Sequence, residues 1–153
     1  MATDEVTFTP LPAHVRTARL VATAVARRSG VDESLLDEVR LAVGEACSRA
    51  VEAHRRHCPA EPVRIEMTDQ DQRFVVTVSD HAPTAPARSA APATDNGIHD
   101  GAGYEAIGHD GGSVFPAGFG LAVISGLAED VRVLSTSSGV SVRMSWPSTA
   151  TGS

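Results

Sequence analysis

The chain has 153 residues, a formal net charge of −6, 42% hydrophobic residues and 21% charged ones. That length predicts one domain with a sizeable core, and the composition excludes disordered and fibrous classes. An acidic chain without a basic cluster also lacks the electrostatic footprint of direct nucleic-acid binding, while an acidic regulator meeting a basic protein surface stays compatible.

Val6-Thr7-Phe8-Thr9 is a short β-branched and aromatic run stopped by Pro10, and it predicts a first strand at a sheet edge. Leu11-Pro12 then enters a helix, with Pro12 in the first turn, where its missing N–H costs nothing. Val15, Ala18, Leu20, Val21, Ala22, Val25 and Ala26 supply its apolar face, and Gly30 is a natural stop. Asp32 or Ser34 can cap a second helix over about 33–55, whose acids Glu33, Asp37 and Glu38 sit at its positive pole. The basic end His54-Arg55-Arg56-His57 suits the negative pole, and both histidines read as solvated helix-end residues rather than metal ligands. Cys47 reads as a small core residue; with Cys58 it makes neither a disulfide framework nor a metal pattern.

Val63-Arg64-Ile65-Glu66-Met67 alternates as a half-buried strand should. Asp69-Gln70-Asp71-Gln72 is the expected turn, and Phe74-Val75-Val76-Thr77-Val78 the returning strand, ending at Ser79-Asp80-His81. From 82 to 116 the residues are mainly Pro, Ala, Ser, Thr, Gly and Asp, so a flexible loop is expected there, either an insertion or a functional loop. Leu121, Ile124, Leu127 and Ala128 fit a short helix entered through Gly118-Phe119-Gly120. Val131-Arg132-Val133-Leu134 and Val140-Ser141-Val142-Arg143-Met144-Ser145-Trp146 make a second hairpin around Thr136-Ser137-Ser138-Gly139. Residues 148–153 read as a disordered tail. The order predicts an α+β two-layer sandwich: one domain over 1–150, with helices packed on one face of a mixed, mostly antiparallel sheet. No apolar run approaches the ~20 residues of a membrane span and no signal peptide is read at the start, so a cytoplasmic setting without membrane contact is expected.

Three places carry suggestive chemistry. Glu45 lies among apolar residues of the second helix, where a carboxylate is either solvated at the stripe's edge or reached by a ligand. Asp80 ends an apolar strand, as ligand-pocket acids and ordinary turn residues both do. Gly118-Phe119-Gly120 opens a helix, where backbone N–H groups attract anions, although glycines also punctuate loops.

Together and in this order, the three features resemble the ATP-binding domain of the GHKL (Bergerat-fold) superfamily. Within it, the chain is similar to the small anti-sigma factor serine kinases of the RsbW and SpoIIAB type, particularly short actinobacterial members. Leu41 to Val51 resembles the family's N-box helix, Phe74 to Asp80 its adenine-binding strand, and Gly118 to Val131 its G2 box with the following helix and strand. The resemblance covers about residues 5–147. It implies Glu45 as the general base of a serine/threonine kinase, able to take the proton of an attacking serine. It implies Asp80 as the adenine reader, and Gly118, Phe119, Gly120 and Leu121 as the phosphate-binding turn, with ATP and Mg2+ as cofactors. The implied partners are a sigma factor and a STAS-domain anti-sigma antagonist, held by a homodimer with the first helix near its interface.

Two departures matter. Arg49 stands where the family has its Mg2+-holding asparagine, and a guanidinium has no lone pair for a metal; it can contact phosphate or pair with Glu45 four residues back. Asp80-His81-Ala82-Pro83-Thr84 stands where the family has an Asp-x-Gly-x-Gly-like turn. The expected function is therefore an anti-sigma-factor-like regulator with ATP binding weakened or lost. The alternative is an active kinase phosphorylating an anti-sigma antagonist.

Overall fold

In the computed structural model, which describes residues 2–82 and 120–149, local chemistry sets the element boundaries. Strand β1 (Ala2–Phe8) starts earlier than its apolar residues suggest, because its polar half pairs in register with β2. Helix α1 (Pro12–Arg28) begins at its proline and ends in a glycine turn. Gly30 takes φ 90°, while the N–H groups of Gly30 and Val31 bond the carbonyls of Arg27 and Ala26 at 3.2 and 3.0 Å. Asp32 caps a 3-10 turn (Glu33–Leu35), accepting from the Ser34 N–H at 3.0 Å, and helix α2 (Leu36–His57) follows directly. The bonds from Ser34 hold the Asp32 carboxyl below its ordinary value.

Strands β2 (Val63–Gln70) and β3 (Arg73–Ser79) form a hairpin around the two residues Asp71 and Gln72, at φ 54° and 61°. Both angles are left-handed, as a tight hairpin with the natural strand twist demands, yet neither residue is glycine. Helix α3 (Gly120–Leu127) leads into the hairpin of β4 (Asp130–Thr136) and β5 (Gly139–Pro147). The strand order is β1-β2-β3-β5-β4, and each of these neighbouring pairs is antiparallel.

Period-two alternation makes the sheet two-faced. Val63, Ile65 and Met67 of β2, Phe74, Val76 and Val78 of β3, and Val142, Met144 and Trp146 of β5 are all buried. The pairings Ile65–Val78, Met67–Val76, Val76–Met144 and Phe74–Trp146 place them on one face. The other face carries Glu66, Thr77, Arg143 and Arg132 in one row across the strands. Helix α2 covers the apolar face by packing on β2, β3 and β5, with α1 and α3 against its flanks. This is the two-layer α+β sandwich that the element order predicts.

The α1–α2 contact is close because its residues are small. Val15, Ala18, Ala22 and Ala26 face inward from α1, and Arg19 lies across Gly44 of α2, leaving no room there for a Cβ. Leu20, counted in the first helix's apolar face, and Leu41 of α2 are 62% and 44% exposed. They sit at the edges of their stripes rather than in the core. Two further expectations change. Ser148, placed in the tail by composition, is buried and its N–H bonds the Gln72 carbonyl at 2.9 Å, while the Thr149 N–H bonds Gly30 at 3.0 Å. Backbone pairing outweighs the weak local propensity of these two residues. Ala82, placed at the start of the loop, is also buried; 83–116 and 150–153 lie outside the described residues.

Candidate functional site

Glu45 is in the middle of α2 and only 4% exposed, so it is not a solvated acid at the stripe's edge. Every residue from Ala42 to Ser48 is buried, because α1, α3 and the sheet surround this part of the helix. The Ser48 hydroxyl is buried without a hydrogen-bond partner among the described residues. Cys47 is fully buried; burial pushes its thiol up to about 12, against the opposing pull of the Arg19 charge. It is the small core residue the sequence predicts.

Asp80 ends β3 with its side chain 2% exposed. Its N–H donates to the Val140 carbonyl at 2.9 Å, and its Oδ1 accepts from the Val140 N–H at 3.2 Å. One residue thus grips both polar groups of Val140 and carries the β3–β5 ladder one position past the strand. Oδ1 also accepts from the Ala82 N–H at 3.0 Å, closing an Asx-type turn. Gly139 is required beside this grip: at φ 149°, a Cβ there would run into the Asp80 carbonyl.

Arg49 reaches across from α2, its Nη1 donating to Asp80 Oδ2 at 3.4 Å. The sequence offers a phosphate or Glu45, one helical turn back, as its partner. The tertiary fold brings a buried carboxylate from the end of β3, thirty-one residues away, within reach of the guanidinium. The Arg49 side chain remains 33% exposed. Asp80 and Arg49, both singled out in the sequence, are therefore in contact. Gly118 and Phe119 lie outside the described residues. Gly120 and Leu121 open α3, which packs against α2.

His54 is the residue that sequence reasoning placed wrongly. It was expected at a solvated helix end, but it is 0% exposed. Its Nδ1 bonds the Glu61 carbonyl at 2.8 Å and its Nε2 the His81 N–H at 2.8 Å. The signal was its helical spacing: His54 follows the buried Ala50 by four residues and Val51 by three, whereas His57 falls on the exposed face. Nearby Cys58 has its thiol raised, by burial first and then by the charges of Glu61 and Asp80.

Comparison with known proteins adds the family. A model of the histidine kinase-like ATPase domain matches residues 8–146. The chain belongs to this family. The match runs from the last residue of β1 to Trp146 in β5 and contains Glu45, Arg49, Asp80 and Gly118 to Leu121 within one histidine kinase-like ATPase domain. No curated protein matches the chain. Among solved structures, the fold is similar to the crystal structure of the RsbU and RsbW domains of Rv1364c from Mycobacterium tuberculosis, with a TM-score of 0.64 and 15% identity. That likeness covers 97% of this chain and 33% of the other, so this histidine kinase-like domain spans about a third of the protein it resembles. Among the described residues, no helix is long and apolar enough to cross a membrane, and no group of His, Cys, Asp and Glu could hold a metal ion.

Proposed function

We propose that this histidine kinase-like domain is an anti-sigma-factor-like regulator. It would hold a protein partner, a sigma factor or a STAS-domain antagonist, on a scaffold whose Mg2+-dependent ATP binding is weakened or lost. The observation that carries this reading is the state of Asp80. Its Oδ1 accepts two backbone N–H groups and its Oδ2 the Arg49 guanidinium, with 2% of the side chain exposed. Three of the carboxylate's roughly four lone-pair sites are thus engaged, and an adenine amino group is left only the remaining site on Oδ2, beside the Arg49 guanidinium. Arg49 in turn offers Mg2+ no acceptor. On this reading the residues do not fit a metal-bridged nucleotide held as the resemblance implies. The similarity to a structure containing an RsbW domain supports the regulator class.

Isothermal titration of the protein with ATP and Mg2+ tests the reading. Weak binding that is indifferent to the metal is expected, and tight metal-dependent binding would overturn it. Arg49→Asn sharpens the test: binding should rise if only that position has decayed, and stay flat if the Asp80 turn also blocks the nucleotide.

One observation favours an active serine kinase instead. Ser48, three residues past the buried Glu45 on α2, has a hydroxyl without a partner among the described residues, which leaves that hydroxyl free capacity for a ligand. Glu45 would then be the base, Asp80 the adenine reader, and Gly118 to Leu121 the phosphate-binding turn. Incubation with labelled ATP and a STAS-domain antagonist separates the two readings: this one requires phosphate transfer that Glu45→Ala abolishes.

A further inference from the structure

We propose that His54 is the positioning residue of the Asp80 turn, and that protonating its ring unfastens that turn from α2. The inference concerns how the turn is held, so it goes beyond the reading above and does not depend on which ligand the site takes.

The two partners of the ring are both backbone groups, and neither can reverse its role. The Glu61 carbonyl can only accept, and the His81 N–H can only donate. Both bonds, at 2.8 Å each, therefore require the neutral ring with its proton on Nδ1 and its lone pair on Nε2. The ring is 0% exposed, so water does not substitute for either partner.

His81 lies between Asp80 and Ala82, the two ends of the bond from the Ala82 N–H to Asp80 Oδ1. Anchoring the His81 N–H to α2 thus fixes the middle of the turn. Val140 and Arg49 fix its Asp80 end. When a proton from solvent adds to Nε2, that nitrogen becomes a donor facing the His81 N–H. The bond is lost and two buried donors oppose each other.

The surrounding charged and titratable groups come from three sides. On α2 and its end they are Arg49 and Cys58, the latter's N–H bonding the His54 carbonyl at 2.8 Å. The connection to β2 contributes Glu61 through its carbonyl. Past β3 stand Asp80, already matched by Arg49, and the His81 ring, centred 5.9 Å from that of His54. A protonated His81 would add like-charge repulsion to a protonated His54.

NMR on the full 15N-labelled chain tests this. The ring nitrogens of His54 should report the Nδ1–H tautomer at neutral pH. Protection factors of the His81 and Ala82 amides should fall about tenfold relative to those of Val76 and Val78 as the pH is lowered from about 7.5 to about 5. His54→Gln keeps an acceptor that cannot gain a proton in that interval, so its protection should be flat with pH. His54→Leu should lose protection throughout, and His81→Ala should retain the pH dependence. An Nε2–H tautomer, or protection in the natural chain that does not change with pH, would overturn the proposal. If His54→Leu fails to fold, the tautomer and the His54→Gln profile still decide.

Discussion

At Asp80 a single carboxylate satisfies Ala82, Val140 and Arg49, so removing it strands two backbone N–H groups in a buried place. Asp80→Ala should cost about 2–4 kcal/mol of stability, measured by urea unfolding. Arg49→Ala should cost less, about 1 kcal/mol or under, because its side chain is one-third exposed and its contact is long. Cys47 gives a pH prediction whose sign follows from its raised thiol. In the folded chain the proton stays on to about 12, whereas an ordinary exposed thiol loses it near 9.0. Between those values the unfolded chain binds fewer protons, so stability falls as pH rises. The contribution is complete below about pH 9 and is lost on the way to pH 12. Replacing Cys47 by Ala should flatten that alkaline slope in urea titrations, whatever it does to stability at neutral pH. Thiol reagents should modify Cys58 in the folded protein and Cys47 only after unfolding.

Elements show where helix propensity and packing oppose each other. Gly44 sits inside α2, where alanine would ordinarily add about 1 kcal/mol of stability. Arg19 fills the space that a Cβ needs, so Gly44→Ala should be neutral or destabilising in the natural chain and stabilising once Arg19→Ala has cleared the site. A double-mutant cycle read by thermal unfolding checks the change of sign. In the β2–β3 hairpin, Gln72 holds φ 61° at a position glycine adopts freely. Gln72→Gly should therefore raise stability by about 0.5–1 kcal/mol, since relief of backbone strain outweighs the added freedom of the unfolded chain. Gly139→Ala should do the reverse, because its Cβ would meet the Asp80 carbonyl. Apolar periodicity placed every described helix and strand, because 3.6- and 2-residue repeats are local properties. Exact ends were less legible: β1 extends to Ala2 through pairing with β2, and Ser148 and Thr149 are held by backbone bonds to distant residues.

For the whole molecule, Trp146 is the natural reporter. It is the one tryptophan, buried against Phe74 at 6.3 Å between ring centres, with its Nε1 donating to the Leu127 carbonyl at 3.0 Å. It joins the sheet to α3, so its fluorescence should change in the same urea transition as far-UV circular dichroism; separate midpoints would show that the α3 side unfolds independently. The α+β class, the element order and the residues to watch, Glu45, Arg49 and Asp80, were all present in local pattern and motif order. Contacts between distant residues were not. Nothing along α2 alone showed that Arg49 would meet Asp80, and His54 could have faced water. Packing α2 onto the sheet instead set Arg49 against Asp80 and buried His54 between Glu61 and His81. Sequence pattern determined which face of each element is apolar, because that depends on spacing along one element. Which polar groups then meet depends on how two elements dock, and only the tertiary structure decides that.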